Sequence, residues 1–123
     1  MQPPSFYNSN SPSKTLKQLS HYQFTPRKNL GQNFLIDRNI VRIIVDSCDL
    51  NIGENIFEIG TGLGALTLAL SMEANHVFSI EKDQRLKPII AENIQQREKN
   101  VTIIYDDILK YDLKSFFQNK QQS

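Results

Sequence analysis

Cysteine is nearly absent from this sequence: Cys48 is the single one in 123 residues. No disulfide can therefore close within the chain, and such usage fits a reducing cytoplasm. Long apolar runs are missing too. No stretch approaches the roughly 18 consecutive apolar residues of a membrane-spanning helix. The two histidines and scattered acids supply no metal-ligand spacing, so no metal is expected. No internal repeat and no domain linker is visible. Acidic residues are absent before Asp37, while Lys14, Lys17, Arg27 and Lys28 all fall in that stretch. A basic leading arm suits a polyanionic partner, because neutralising phosphates releases counterions, although many solvated arms have the same composition. Lys14, Arg27 and Lys28 are the candidate nucleic-acid contacts.

The rest of the composition is that of an ordinary globular protein, 39% hydrophobic and 22% charged. Residues 1–14, with Pro3, Pro4, Pro12 and several Ser and Asn, read as a disordered arm. This arm is serine-rich and acid-poor, as an organellar leader is, yet it lacks arginine and amphipathic periodicity. The expectation is a cytoplasmic protein. Residues 15–36 read as a helix followed by a basic strap, 37–115 as a partial α/β domain, and 116–123 as a polar tail.

Within the domain the periodicity alternates between helix and strand. Thr15 to Tyr22 reads as a short amphipathic helix, ending in a loop broken by Pro26. Asp37 is a helix N-cap candidate, and Ile40, Val41, Ile44, Val45 and Cys48 recur at helical spacing behind it. Cys48 is thus expected in the core as a small apolar residue. Asn55–Ile59, His76–Ile80 and Val101–Tyr105 read as buried strands, and Ala65–Leu70 as a helix between the first two. Asp83 can cap a helix running towards Lys99, with Leu86, Ile89, Ile90 and Ile94 inward. Pro88 places its start close by, since proline is tolerated in a first turn. Leu113, Phe116 and Phe117 suggest a further short helix. The order β-α-β-α-β specifies a parallel sheet with right-handed crossovers.

The most informative segment is Glu58-Ile59-Gly60-Thr61-Gly62-Leu63-Gly64, a glycine-rich turn after the first strand. Glu81 closes the second strand about twenty positions later. In an open α/β sheet ligands sit at the carboxyl ends of the strands, where glycines let the backbone come close. An acid at that distance accepts hydrogen bonds from ribose hydroxyls. Gly60-x-Gly62-x-x-Ala65 also satisfies the loose dinucleotide fingerprint, so NAD or FAD remains an alternative. Against it, the E-x-G-x-G-x-G form is usual for S-adenosylmethionine sites. That ligand carries an ammonium and a sulfonium, so acids near the turn are useful. Asp107, after the third strand, is placed to accept a hydrogen bond from the adenine exocyclic amine, with Asp106 as its substitute.

Upstream, Arg27-Lys28-Asn29-Leu30-Gly31-Gln32-Asn33-Phe34-Leu35-Ile36-Asp37 combines a basic loop, a glycine, two amides and an apolar plug. This segment, the glycine turn continued by Ala65-Leu66-Thr67, the run Ser79-Ile80-Glu81-Lys82-Asp83 and the run Ile104-Tyr105-Asp106-Asp107-Ile108-Leu109 occur in order. Together they closely resemble the ribosomal RNA adenine N6-dimethyltransferase family over about residues 15 to 115. Thr61 stands where many members have proline.

The resemblance implies a Rossmann-like S-adenosylmethionine-dependent methyltransferase fold, of which this chain carries the N-terminal half, about three strands. It implies S-adenosylmethionine as cofactor, bound by Gly60, Gly62, Gly64, Glu81 and Asp107. Gln32, Asn33 and Leu35 would close over its methionine end. It favours Asp107 over Asp106 for the adenine. Small-subunit rRNA, or an immature small ribosomal subunit, is the implied partner, methylated twice at N6 on adjacent adenines near its 3′ end. Relatives that methylate large-subunit RNA share the glycine turn. The family's catalytic Asn-Leu-Pro-Tyr motif does not occur in this sequence, so no catalytic residue is assigned. A non-catalytic RNA-binding or assembly relic is the alternative reading, and an NAD-dependent oxidoreductase half is a further one.

Overall fold

A computed structural model describes residues 12–25, 38–51 and 53–121. Its elements in chain order are α1 (Pro12–His21), α2 (Arg38–Cys48), β1 (Asn55–Ile59), α3 (Ala65–Ser71) and β2 (His76–Glu81). A 3-10 turn (Gln84–Leu86), α4 (Lys87–Ile94) and a second 3-10 segment (Gln95–Asn100) lead to β3 (Val101–Tyr105) and α5 (Leu113–Gln121).

The three strands are parallel in the order β1-β2-β3, so consecutive strands are neighbours. Register follows the apolar pattern. Phe57 pairs with Phe78, Glu58 with Ser79, and Ile80 with Ile104. Because side chains alternate along a strand, this register sorts the sheet into two faces. On one face Ile56, Val77, Val101 and Ile103 meet Leu68, Leu70, Leu86, Ile89, Ile90 and Ile94 from the helices, forming the apolar core. On the other, Phe57 and Phe78 meet Phe116 of α5, each at a ring-centroid separation of 5.0 Å in an edge-to-face arrangement.

Asp83 caps the turn before α4, its carboxylate accepting from the Arg85 N–H at 3.0 Å. Pro88 sits in the first turn of α4, where its missing N–H leaves nothing unsatisfied. The four inward residues expected there, Leu86, Ile89, Ile90 and Ile94, are all buried.

Three expectations are corrected. Cys48 is exposed rather than buried. Ile40 and Ile44 are also exposed, at 52% and 39%, while Val41 and Val45 of the same helix are buried. The physical reason is that the apolar arc of α2 is wider than the strip α3 covers, and only the i, i+4 pair at its centre is enclosed. The short helix expected from Leu113, Phe116 and Phe117 is present as α5, runs on to Gln121 through the polar residues, and is anchored by Phe116. Pro12 and Ser13, assigned to the arm, begin α1. The candidate cap Asp37 lies outside the described residues.

Candidate functional site

β1 delivers the chain to the sheet's carboxyl end at Ile59, and the glycine turn begins there. Gly60 donates its N–H to the Ile80 carbonyl at 2.8 Å, extending the β1–β2 ladder by one rung. Gly60, Gly62 and Gly64 have φ of 89°, 58° and 92°, backbone conformations in which a side chain is strained. Gly64 then opens α3, its carbonyl accepting from the Leu68 N–H at 2.9 Å. A Cβ on Gly60 would meet nothing within 4 Å, so the backbone there borders open space.

Glu81 ties this turn to the next strand. It is 8% exposed, and its Oε1 accepts from the Gly62 N–H at 2.9 Å while Oε2 accepts from the Asp83 N–H at 2.8 Å. One carboxylate therefore holds the loops after β1 and β2 together. At the end of β3, Asp107 is half-buried, accepts from the Leu109 N–H at 2.9 Å and faces Lys82 Nζ at 3.5 Å. The Leu109 hydrogen bond, with the nearby Lys82 charge, holds its carboxyl below the usual range. Asp106 is exposed and turns one oxygen back onto the Asp107 N–H at 2.7 Å. The turn, Glu81 and Asp107 thus form a connected series along the strand ends, through Gly62–Glu81 and Lys82–Asp107.

Beneath the turn lies a buried polar network that sequence reasoning did not identify. Thr67 and Ser79 both donate hydroxyls to Glu58 Oε1, the latter at 2.6 Å. Since the Ser79 proton is committed there, the Thr61 hydroxyl donates to Ser79 Oγ, at 2.6 Å. Glu58 Oε2 is buried with no hydrogen-bond partner among the described residues. Burial pushes the Glu58 carboxyl up to about 7, against the two hydroxyl hydrogen bonds and with a further upward push from Glu81. The available signal was Ser79, a polar residue in the middle of an apolar strand, in register with Glu58. Thr61, in the position where proline is common in the resemblance, earns its place through this hydroxyl.

Gln32, Asn33, Leu35, Arg27 and Lys28 lie outside the described residues. Lys14 is in α1. Among the described residues no cluster of metal-ligating side chains occurs, and no helix is long and apolar enough to cross a membrane.

The comparisons with known proteins agree with this arrangement. The family model for ribosomal RNA adenine dimethylase matches residues 23–123. Ribosomal RNA small subunit methyltransferase A of Staphylococcus aureus is 42% identical over 112 residues, 91% of this chain and 37% of its own length. The chain thus spans little more than a third of the curated relatives it matches. Among solved structures, the 23S rRNA methyltransferase ErmE superposes with a TM-score of 0.59 at 31% identity, over 65% of this chain and 32% of its own. The tRNA (m1A58) methyltransferase TrmI of Aquifex aeolicus does so with a TM-score of 0.57 at 26% identity, over 63% and 32%. By its sequence match and its three-stranded Rossmann-like sheet, the chain belongs to the ribosomal RNA adenine dimethylase family.

Proposed function

We propose that this chain is the S-adenosylmethionine-binding part of an rRNA adenine N6,N6-dimethyltransferase acting on adjacent adenines near the 3′ end of small-subunit rRNA. The observation that carries the reading is the Gly62–Glu81 hydrogen bond, which sets an acidic side chain beside a glycine turn at the ends of two parallel strands. The ligand fits the residues present. Open space at Gly60 admits its backbone-facing part, and the carboxylates of Glu81 and Asp107 stand at the strand ends beside the turn. When bound, that cofactor supplies an electrophilic methyl group.

In this reading Glu81 receives the ribose hydroxyls and Asp107 the adenine amine, while Gly60, Gly62 and Gly64 let the backbone approach. Gln32, Asn33 and Leu35 close the methionine end, and Lys14, Arg27 and Lys28 meet RNA phosphates in the cytoplasm. The adenine amine is a weak nucleophile because its lone pair is delocalised into the ring. Its activation is assigned to the family's Asn-Leu-Pro-Tyr motif, so the 123-residue chain by itself binds cofactor without turning over RNA.

Calorimetric titration with S-adenosylhomocysteine and with NAD tests this. The homocysteine ligand should bind and NAD should not. Asp107→Ala, at the solvent edge of the site, should weaken binding roughly tenfold, with the circular dichroism spectrum unchanged. Tighter binding of NAD would overturn the reading.

A further inference from the structure

The glycine turn is gripped from a second side, and the grip leads away from the cofactor face. Asn93, near the end of α4, donates from Nδ2 to the Leu63 carbonyl at 2.8 Å. The same Nδ2 donates to Gln18 Oε1 at 3.2 Å, and Gln18 Nε2 donates to Asn93 Oδ1 at 2.7 Å. A carbonyl only accepts, so Leu63 fixes which way the Asn93 amide faces. That orientation in turn fixes Gln18, and both amide hydrogens and the amide oxygen of Asn93 are engaged. Three segments remote in sequence meet at one side chain: Gln18 is 75 positions from Asn93, and Leu63 is 30.

Around this bracket, α1 and the residues after it lie along the α4 region. The Tyr22 hydroxyl donates to Glu92, the Arg85 guanidinium lies 4.3 Å from the centre of the Phe24 ring, and Arg85 Nη1 donates to the Thr25 carbonyl at 3.4 Å. The residue after Asn93 closes the turn sterically, since a Cβ on Gly64 would meet Ile94 Cγ2 at 3.1 Å. Gly62 is held through its N–H by Glu81, and Leu63 through its carbonyl by Asn93. A turn with three glycines has much freedom to lose, and a ligand meeting it already fixed loses less on binding.

We infer that Asn93 is a positioning residue for the cofactor turn, an amide bracket through which Gln18 of the N-terminal helix fixes the Leu63 peptide. The inference rests on the cofactor reading above and adds that α1 is coupled to cofactor affinity.

The test uses Asn93→Asp, Asn93→Ala, Gln18→Ala and the Gln18→Ala/Asn93→Ala double variant of the full chain, titrated with S-adenosylhomocysteine well below their melting temperatures. Asn93→Asp keeps the shape but turns an acceptor towards the Leu63 carbonyl. It should weaken binding roughly tenfold, more than Asn93→Ala does. A side chain serving only packing would give the reverse order. Gln18→Ala should weaken binding less, and the double variant should match Asn93→Ala alone, because Gln18 acts through Asn93. Wild-type affinity in Asn93→Asp, or fully additive losses in the double variant, overturns the inference. If the unaltered chain binds no S-adenosylhomocysteine, the cofactor reading fails, and the Leu63 carbonyl carbon resonance decides the bracket. A shift in Asn93→Asp supports it, and an unmoved resonance overturns it.

Discussion

Glu58 shows what one residue position has to reconcile. It lies at the last buried position of β1, and its alternation with Ile56 turns its carboxyl into the core rather than to solvent. Ser79 and Thr67 share one of its oxygens, leaving the other without a partner among the described residues. With its carboxyl raised from 4.5 to about 7, the folded chain retains a proton that the unfolded chain has released. Between those two values the folded state binds more protons, so stability must fall as pH rises through the window. The full effect is about 3 kcal/mol, present below pH 4.5 and lost above 7. Urea unfolding at a series of pH values should show this decline, and Glu58→Gln should flatten it. An equal slope in the variant would assign the pH dependence elsewhere.

At the scale of elements, legibility depended on how many partners a segment needs. The three strands were readable because each is an apolar run bounded by turn residues, and the glycine turn and its acids because each sits at a strand end. The helices were less so. Five apolar residues at helical spacing in α2 look like one buried face, but among the described residues α3 is its main neighbour and only Val41 and Val45 are buried. The Thr61–Ser79–Glu58 chain needed the strand register, and the Gln18–Asn93 pair needed a contact across 75 positions. α5 was legible in part, from Leu113, Phe116 and Phe117, but its length and the sheet face it covers were not. Gln118 is exposed, yet Phe116 is half-buried and packs edge-to-face on Phe57 and Phe78. Tyr111 extends the cluster by stacking on Phe57 with ring centroids 6.3 Å apart. Removing the Phe116 ring should cost about 2 kcal/mol, below the usual range for a fully enclosed Phe because this one is half-exposed. Phe116→Ala should therefore lower the urea midpoint while leaving S-adenosylhomocysteine affinity intact, since α5 covers the sheet face opposite the side chains of Glu58 and Glu81. A loss of affinity without a loss of stability would contradict this division of the sheet.

For the whole molecule the decisive fact is the position of β1. It carries the glycine turn, yet it stands at the edge of the three-stranded sheet, with no strand on its outer side among the described residues. Ile59 at its end is 63% exposed, and Ile40, Ile43 and Met72 are each about half exposed or more. An unpaired edge together with exposed apolar side chains favours association between chains. The 123-residue chain should therefore sediment as a concentration-dependent mixture and unfold broadly. Ile59→Lys places a charge at the end of the free edge, a device that discourages strand pairing, and should shift the mixture towards monomer without disturbing Gly60, whose N–H is held by the Ile80 carbonyl. On the cofactor reading S-adenosylhomocysteine should bind only the folded chain, and so sharpen the thermal transition as well as raise it. A wild-type chain that stays monomeric at every concentration and melts in one sharp, reversible step would show that three strands and their helices suffice, and that the edge of β1 is no liability.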